Sequence, residues 1–457
     1  MNLPISQSSK KNIKQPSGML GFTIVWFGQV ISLMGTTMSG FALGIWAWQA
    51  TQSATAMAII GICNFLPGVL FSPVAGALVD RWNRKLVLML SDLASGLVTV
   101  GILLLHHAGS LEMWHLYVGG VISGTFQAFQ WPAYSAAISI MVPKKQYTRA
   151  AGMMSLAEWG SGIFSPVLAG ALLGTIGLDG ILVIDILTFI IAISALLWIF
   201  IPQAEKSEEG EHAEKGIFKE SIFGFKYILK RPSLFNLQLV FASGNFMSSW
   251  AGVLLAPMIL ARTGNSASTL GVVESAGALG GIIGSSLITA WGGPKRRING
   301  VLLGWAGSGS FGLMLLGLSS AIPFWLAGSF FFSFFGPIVN SSNQAIWQSK
   351  VPPDIQGRVF SVRRVIAQIT GPLGMMIAGP MADKVFEPFM QSSSGFSLAL
   401  GKFFGNSLGS GMSILILLMG LITTIIGLAA YLNPLVRNVE TLLPDHDLAK
   451  IKDPKID

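Results

Sequence analysis

The sequence predicts an all-α polytopic membrane protein with twelve transmembrane helices in two pseudo-symmetric six-helix halves. Three observations lead to this fold class. The 457 residues are 52% hydrophobic and only 11% charged, whereas roughly a quarter of the residues of a soluble domain are charged. Apolar runs long enough to cross a bilayer recur along the chain, and one charged segment divides them into two sets of six.

The predicted helices follow from the length of the apolar windows. A membrane-spanning helix needs about 20 mostly apolar residues, and its ends are known to within a few residues. Twelve windows meet this length, at 20–46, 55–79, 86–107, 114–138, 147–174, 178–201, 234–261, 268–291, 299–319, 322–347, 359–381 and 410–432. A bilayer is therefore the expected surroundings of most of the chain.

The basic residues predict the orientation of these helices. Cytoplasmic loops of membrane proteins carry an excess of Lys and Arg. Basic residues precede the first window and follow the second, fourth and eighth, whereas Arg262, Lys384 and Lys402 fall on the opposite side. Both termini are therefore predicted to be cytoplasmic. The net charge of +8 belongs to this pattern, so no nucleic-acid partner is expected.

The charged segment between the sixth and seventh windows divides the chain into domains. Residues 1–201 form the predicted N-terminal half, 202–233 a cytoplasmic linker, 234–435 the C-terminal half and 436–457 a cytoplasmic tail. Within the linker, Ile217 to Lys230 alternate apolar and basic residues. This pattern suits a helix lying in the membrane interface, and a solvated connector is an equal alternative.

A weak internal repeat supports the division into halves. Val142, Pro143 and Arg149 follow the fourth window, and at one constant offset Val351, Pro352 and Arg358 follow the tenth; Ala169 and Gly170 match Ala378 and Gly379 at the same offset. Six-helix repeats are found in secondary transporters, which bind substrate near the bilayer midplane where the repeats meet. The repeat therefore predicts a transporter.

The turn after the second window reads GALVDRWNRK, and it resembles a known family. Gly76, Leu78, Asp80, Arg81, Arg84 and Lys85 fit the G-x-L-x-D-R-x-x-R-[KR] pattern of the major facilitator superfamily in its expected place. Within that family the chain resembles most the drug:proton antiporters of the bacterial macrolide-efflux type. Four stretches carry this resemblance, namely FTIVWFGQVISLMGT from Phe22, SPVLAGALL from Ser165, VIDILTF from Val183 and GRVFSV from Gly357.

The resemblance implies a conformational latch at this turn and a location in the inner membrane of a bacterium. Asp80 is expected to stabilise the outward-open state of the transporter by contacting the eleventh helix. The predicted latch comprises Gly76, Asp80, Arg81, Arg84, Lys85, Asp92, Arg363 and Arg364. Asp92 is placed there because it lies two turns into the third window. The adjacent Arg363 and Arg364 point about 100° apart, so one is the expected partner and the other reaches toward the headgroups.

Three acidic residues inside the windows are the predicted proton carriers. Burying an ionisable group in a bilayer is costly, so such groups are functional candidates. Glu158 is the first choice, since about eleven residues of helix place it ~16 Å deep, near the midplane. Glu274 of the eighth window and Asp185 of the sixth lie nearer the outer surface. A structural role remains an alternative for each, and for Asp185 the two readings are equal.

Large amphipathic side chains near the middle of the windows predict the substrate. Aromatic rings with scattered amides suit a roomy site for apolar or cationic organic compounds. The candidates are Trp26, Gln29, Phe126, Gln127, Gln130, Asn245, Phe246, Trp250, Asn340 and Asn343. Gln127, Gln130 and Asn245 are the best of these, because amides rarely face lipid. For any single aromatic residue, packing or lipid contact is the simpler explanation.

Other classes of chemistry find no support in the sequence. Cys63 is the only cysteine, so an intrachain disulfide and sites built on paired cysteines are excluded. Walker A, dinucleotide-binding and H-E-x-x-H patterns are absent. We therefore expect neither an enzyme nor a metal or cofactor site. The histidines at 106, 107 and 115 flank an external loop and are more simply solvated.

The sequence thus predicts a monomeric secondary transporter that exports amphipathic, cationic or neutral organic compounds in exchange for protons. A dedicated exporter or importer of one metabolite, siderophore or lipid, coupled to protons or to sodium, is the alternative within the class. A non-transporting sensor or assembly factor is the alternative from another class, since fold does not fix function. The external segment 383–410 is left open between an interfacial helix, a lid and a linker.

Overall fold

A computed structural model describes residues 18–142, 147–199, 224–352, 355–392 and 394–444, which form helices joined by short turns. The predicted all-α class is confirmed. The helix cores reflect the apolar windows, because in a bilayer every backbone N–H and C=O must be hydrogen bonded within the chain. Among the predicted latch and proton-carrier residues, the surroundings of Gly76, Asp80, Arg81 and Glu158 lie outside the described part.

The N-terminal half contains six helical segments. They are α1 (Gly18–Thr51), α2 (Ala54–Arg81), α3 (Arg84–His107), α4 (Met113–Met141) and a run over Tyr147–Trp198. This last run contains a non-helical residue, Gly177, with φ of 67°. Because that conformation breaks a helix of L-residues, we describe the run as α5 (147–176) and α6 (178–198).

The C-terminal half contains the remaining long helices. They are α7 (Pro232–Arg262), α8 (Ala267–Trp291), α9 (Arg297–Leu318), α10 (Ile322–Lys350), α11 (Gln356–Met381), the short α12 (Gly395–Phe404) and α13 (Ser410–Ala429). A π-helical turn at Ala382–Phe386 and a last turn at Glu387–Gln391 extend α11. Two single-turn helices follow, α14 (Pro434–Arg437) and α15 (Val439–Leu442).

Ten helices within the described ranges are long and apolar enough to cross a membrane. One of them is the Gly160–Trp198 run that holds the break at Gly177, and α4 is not among the ten. The count of twelve therefore stays a prediction. We call the end of the bundle where α1 begins and α13 ends the predicted cytoplasmic face, and the other end the predicted external face.

Local sequence sets several helix ends. Asn83 accepts a hydrogen bond from the backbone N–H of Leu86 at the start of α3, and Ser266 accepts one from Thr269 at the start of α8. Such caps satisfy N–H groups that have no partner within the helix. Gly292, with φ of 78°, ends α8 in the left-handed conformation that glycine favours. The caps fix where each helix enters and leaves the predicted bilayer.

Glycines bring α8 and α10 into close contact. A Cβ atom added at Gly280 would lie 2.0 Å from the carbonyl oxygen of Phe330, and one at Gly284 would lie 2.2 Å from that of Phe334. A face of small residues on α8 therefore packs against α10, through Gly277, Gly280 and Gly284. Small residues permit this approach of two backbones in a membrane, so α8 and α10 are held as a pair.

Two helix pairs make most of the described contact between the halves. In α5, a Cβ atom at Gly170 would lie 2.8 Å from the carbonyl oxygen of Ala267 at the start of α8. In α11, a Cβ atom at Gly379 would lie 3.0 Å from the carbonyl oxygen of Ala54 at the start of α2. Gly170 and Gly379 are the positions matched by the internal repeat, so the same contact is made twice, both times toward the predicted external face.

The two connections left open by the sequence are partly described. Residues 200–223 of the linker lie outside the described ranges, and 224–229 are helical. The segment 383–410 is largely helical, with the extension of α11 followed by α12. Phe396 and Phe403 of α12 are 68% and 81% exposed, which fits the interfacial helix among the predicted alternatives better than a bare linker.

Candidate functional site

A polar cavity of about 340 Å³ lies inside the N-terminal half. Side chains from all six of its helices line it, namely Trp26, Gln29, Val30, Ser32, Leu33, Thr36, Asn64, Asp92, Ser95, Gly96, Thr99, Ser123, Gly124, Gln127, Gln130, Tyr134, Met154, Ala157, Asp185 and Phe189. Polar groups in a predicted membrane span are expensive unless they serve a ligand, water or each other. This cavity is therefore the candidate functional site.

Asp92 of α3 lies at one side of the cavity and is only 5% exposed. Its two carboxylate oxygens accept hydrogen bonds from two amides, Gln29 Nε2 at 2.8 Å and Gln130 Nε2 at 2.7 Å. Gln130 Nε2 also lies 3.4 Å from Gln29 Oε1. The amides join α1, α3 and α4 around the carboxylate. They orient Asp92 without supplying a positive charge.

Asp185 of α6 is 3% exposed and lies among hydroxyl groups. Thr36 Oγ1 of α1 donates to one carboxylate oxygen at 3.1 Å, and Thr99 Oγ1 of α3 donates to the other at 3.0 Å. The approach of α1 to α6 depends on Gly35, where an added Cβ atom would lie 3.1 Å from Asp185 Oδ1. Asp185 is thus also held by neutral donors from two other helices.

The described lining includes two carboxyl groups and no Lys, Arg or His. Moving an unpaired carboxylate out of water is strongly unfavourable, and neutralisation by a proton or a nearby cation relieves the cost. The Tyr134 hydroxyl, which also lines the cavity, is buried without a hydrogen-bond partner in the described structure. The arrangement is suited to accept a proton or a cationic group.

Apolar groups form the rest of the wall. Trp26 contributes its ring while its Nε1 donates to the carbonyl oxygen of Met153 at 2.8 Å. Phe189 and Met154 supply further apolar surface. Small-molecule sites commonly combine such apolar walls with a few convergent polar groups. The cavity is therefore chemically amphipathic.

Four of the predicted substrate residues line this cavity together, namely Trp26, Gln29, Gln127 and Gln130. Phe126 belongs to α4 but is not part of the lining, and its carbonyl oxygen accepts a hydrogen bond from Ser91 at 3.2 Å. The sequence predicted one site where the halves meet. In the structure these four residues lie within one half instead.

The other predicted substrate residues belong to α7 and α10 of the C-terminal half. Asn245 Nδ2 donates to the carbonyl oxygen of Ala367 at 3.3 Å. The rings of Phe246 and Trp250 stand edge to face with centroids 6.3 Å apart. Asn340 donates to the carbonyl oxygen of Gly336 at 3.0 Å, within its own helix. Asn343 is fully buried, and neither atom of its amide has a described partner.

The predicted proton carriers do not lie together. Asp185 lines the cavity, whereas Glu274 lies on α8 in the other half. On that helix Val272, Leu279 and Ile283 are exposed on one side, and helical geometry places Glu274 on the opposite side. Within the described residues its carboxyl group makes no hydrogen bond. The side chain of Glu158 is outside the described part, but its neighbour Ala157 lines the cavity.

The structure describes the side chains of only some of the predicted latch residues. Lys85 Nζ donates to the carbonyl oxygens of Leu197 at 3.2 Å and Ile199 at 2.7 Å, so it binds the end of α6. Asp92 lies deeper than the charged turn, and its partners there are amides rather than arginines. Its placement in the cavity differs from the expected charge network because that expectation used only the depth of Asp92 in the helix, and not the polar face that it shares with Ser95 and Thr99.

The two arginines of α11 differ in their surroundings. Arg363 Nη1 donates to Gln344 Oε1 at 2.7 Å, and its guanidinium lies 5.3 Å from the ring centroid of Trp347. Arg364 is exposed. This agrees with the geometric expectation that the two point in different directions. The described contacts of Arg363 are within its own half, so its part in a latch stays a prediction.

Several cavity residues were not predicted. Thr36, Asn64, Ser95 and Thr99 all contribute polar atoms to the wall. Thr36 follows Gln29 by two helical turns, and Ser95 and Thr99 follow Asp92 by one and two turns. A search for polar residues repeated every three to four positions in α1 and α3 would have found this face.

Comparisons with known proteins agree with the fold. The family model described as Major Facilitator Superfamily matches residues 25–375. Macrolide efflux protein A of Streptococcus pyogenes is 26% identical over 375 residues, covering 80% of this chain and 90% of the relative. Enterobactin exporter EntS of Shigella boydii serotype 4 (strain Sb227) is 25% identical over 390 residues, covering 83% and 89%.

A solved structure shows the same architecture. The crystal structure of a bacterial homolog of the human lysosomal transporter Spinster, in an inward-facing and unoccupied conformation, superposes with a TM-score of 0.63 at 15% identity. The match covers 90% of this chain and 96% of that one. The family model spans most of the chain and confirms the resemblance carried by the GALVDRWNRK turn. The protein is a membrane transporter rather than an enzyme, and it belongs to the Major Facilitator Superfamily.

Proposed function

We propose that the protein exports amphipathic organic compounds, cationic or neutral, from the cytoplasm in exchange for protons, and that the cavity of the N-terminal half binds them. One observation carries the proposal. The cavity holds two buried carboxyl groups, Asp92 and Asp185, and no basic residue in its described lining. The similarity to macrolide efflux proteins supports export and a bulky substrate.

The chemistry of the cavity supports cation or proton binding over anion binding. An anionic compound would meet two carboxyl groups with no described cation to offset them, and like charges at short range in a poorly hydrated site repel strongly. A lipophilic cation would instead relieve the unpaired charge while its apolar surface contacts Trp26 and Phe189. Neutral amphipathic compounds find amide and hydroxyl groups for hydrogen bonds.

Proton exchange follows from competition for the same carboxyl groups. When the cavity is empty, a proton neutralises a buried carboxylate; when a cation enters, the proton is released. Asp185 lies in the cavity, and Glu158 stays the first-choice carrier from its depth in α5. Glu274, on the other half, is the third candidate. Sodium is the alternative coupling ion.

The decisive experiment is transport by the protein in proteoliposomes with an imposed pH gradient. The probes are tetraphenylphosphonium, a lipophilic cation, and erythromycin, a macrolide. Wild type is compared with Glu158→Gln, Asp185→Asn and Glu274→Gln. We expect gradient-driven movement of at least one probe, and loss of the response to the gradient in one acid-neutralising variant. Asp179→Asn is the control, because that acid lies outside the cavity and binds His106 and His107.

Two results would reject parts of the proposal. Movement that ignores the pH gradient but follows a sodium gradient would replace protons by sodium. Absence of movement of either probe by folded protein would reject export of such compounds. The alternative would then be a transporter for one endogenous compound. The similarity to a protein named as an enterobactin exporter favours testing a panel of endogenous compounds next.

The remaining parts of the proposal concern location and switching. The family resemblance supports a bacterial inner membrane, and the distribution of basic residues supports cytoplasmic termini. A monomer is proposed, since residues of one chain make up the described lining of the cavity. The latch of Asp80 and its basic neighbours is proposed to stabilise one state of an alternating-access cycle. Asp80→Asn is expected to preserve the amount of protein in the membrane and to remove most transport.

A further inference from the structure

The carboxylate of Asp383 joins the two halves at the predicted external face. It lies in the π-helical turn that follows α11, in the C-terminal half. Its oxygens accept hydrogen bonds from three donors of the N-terminal half, namely Ser53 Oγ at 2.6 Å, the Ala54 N–H at 2.9 Å and the Thr55 N–H at 2.8 Å. Asp383 thus caps α2 from the other half of the molecule.

This contact combines two favourable effects. The first N–H groups of a helix have no partner within it, and a carboxylate satisfies them well. The positive end of the helix dipole of α2 also attracts a negative charge. The close approach at Gly379, one turn before Asp383, brings α11 near enough, since an added Cβ atom there would lie 2.6 Å from the Thr55 Cα.

The internal repeat supplies a matched comparison. Gly170 and Gly379 are equivalent, and the same offset pairs Asp383 with Gly174 of α5. The corresponding helix start, that of α8, is capped by its own residue, since Ser266 accepts the hydrogen bond of the Thr269 N–H at 3.3 Å. Both helix pairs therefore pack through a glycine, but only α2 and α11 add a charged cap between the halves.

We propose that Asp383 is a gating residue, which holds the predicted external face closed in this conformation and must release α2 when that face opens. The inference rests on the alternating-access part of the proposed function. It places a switch at the opposite end of the same two helices whose predicted cytoplasmic ends carry the Asp80 turn. The bonds of Asp383 to α2 and the opening of the external face are then mutually exclusive.

The test measures the distance between the halves and does not depend on transport. Spin labels are attached to cysteines introduced at Ser110 and Ser407, exposed positions in external loops of the two halves, in a Cys63→Ser background in lipid nanodiscs. Asp383→Ala and Asp383→Asn are expected to increase the population with longer distances on the order of tenfold, because hydrogen bonds to a charged group are lost. Ser53→Ala should give a smaller increase.

Matched controls exclude a general effect of losing an external acid. Asp179→Asn removes a carboxylate that binds His106 and His107 within the N-terminal half only, and it should leave the distances unchanged. Variants at Asp383 must also elute as monodisperse protein with unchanged helical circular dichroism. If a variant fails this, Ser53→Ala, which keeps the carboxylate, decides the question.

The outcomes separate the gate from the proposed function. Unchanged distances in folded Asp383→Ala and in Ser53→Ala would overturn the gate, whatever the transport assays show. Longer distances in these variants would support the gate even if neither tetraphenylphosphonium nor erythromycin is transported. A shift equally large in Asp179→Asn would also overturn it, because the effect would then not depend on bonds between the halves.

Discussion

The two halves share one architecture and treat buried charge in opposite ways. In the N-terminal half, Asp92 and Asp185 line a cavity and are held by amides and hydroxyls that carry no charge. In the C-terminal half, the half-buried Arg363 is covered by aromatic rings and bonded to Gln344. The N-terminal half thus leaves these two carboxyl groups facing open space, whereas the C-terminal half packs Arg363 among side chains.

This difference separates a binding role from a structural one. A guanidinium stacked on rings and bonded to an amide is stabilised in place and needs no ligand. A carboxyl group in a cavity, held only by neutral donors, keeps its capacity for a proton or cation. Two halves with the same fold therefore need not have the same role. We expect substrate binding to depend on the N-terminal half.

The largest expected effect is that of Asp92→Asn on cation binding. Removing the carboxylate that faces the cavity should weaken tetraphenylphosphonium binding by about tenfold to a hundredfold, because the charge attraction in a poorly hydrated site is lost. Erythromycin binding should change less if its neutral contacts dominate. Equilibrium binding to purified protein measures both, and equal losses for the two probes would contradict the cation site.

An intermediate effect is expected from the amides that hold Asp92. Gln130→Leu removes the donor at 2.7 Å and leaves the carboxylate with one amide. The carboxylate is then no longer oriented toward the cavity by two amides, so we expect cation binding to fall about tenfold, which corresponds to the lower end of the 1.5–3 kcal/mol that a hydrogen bond to a charged group is worth. Gln29→Leu should behave alike. The matched control is Asn236→Leu, which removes an amide of α7 that bonds within its own helix and lies outside the cavity. An equal loss of binding in this control would contradict the prediction.

The smallest expected effect on substrate is that of Arg363→Lys in the C-terminal half. Lysine keeps the charge but loses the planar group that stacks on Trp347 and Phe360. We expect a loss of about 1 kcal/mol in stability, read as a lower melting temperature in detergent, and cation affinity within twofold of wild type. A tenfold change in cation affinity would show that Arg363, in the C-terminal half, also takes part in binding.

The sequence predicted the fold class and the family because both depend on long-range composition and a short local motif. Apolar windows revealed the helices, and the GALVDRWNRK turn revealed the superfamily, which the family comparison confirmed. The count of ten candidate spans takes Gly160–Trp198 as one run across the break at Gly177, and it leaves out α4. The apolar windows of the sequence had already separated α5 from α6 at this break.

The site was harder to predict because it depends on helix rotation and on contacts between distant segments. Gln29, Gln127 and Gln130 were singled out as amides in apolar helices, and they line the cavity with Trp26. Asp92 was assigned to a charge network because the assignment used its depth and not the polar face that it shares with Ser95 and Thr99. The bonds of Asp383 to Ala54 and Thr55 join residues more than three hundred positions apart, and no local pattern encodes them.

A residue near the end of the described chain caps α9, which begins at Arg297. Glu440 accepts hydrogen bonds from the N–H groups of Arg297 and Ile298 at 3.2 and 3.0 Å, capping α9. Lys350 of α10 in turn donates to the carbonyl oxygens of Glu440 and Leu443. During synthesis, α9 and α10 therefore enter the membrane while their shared partner is still being translated. The cap of α9 and the bonds of Lys350 can therefore form only after the chain has been translated as far as Leu443.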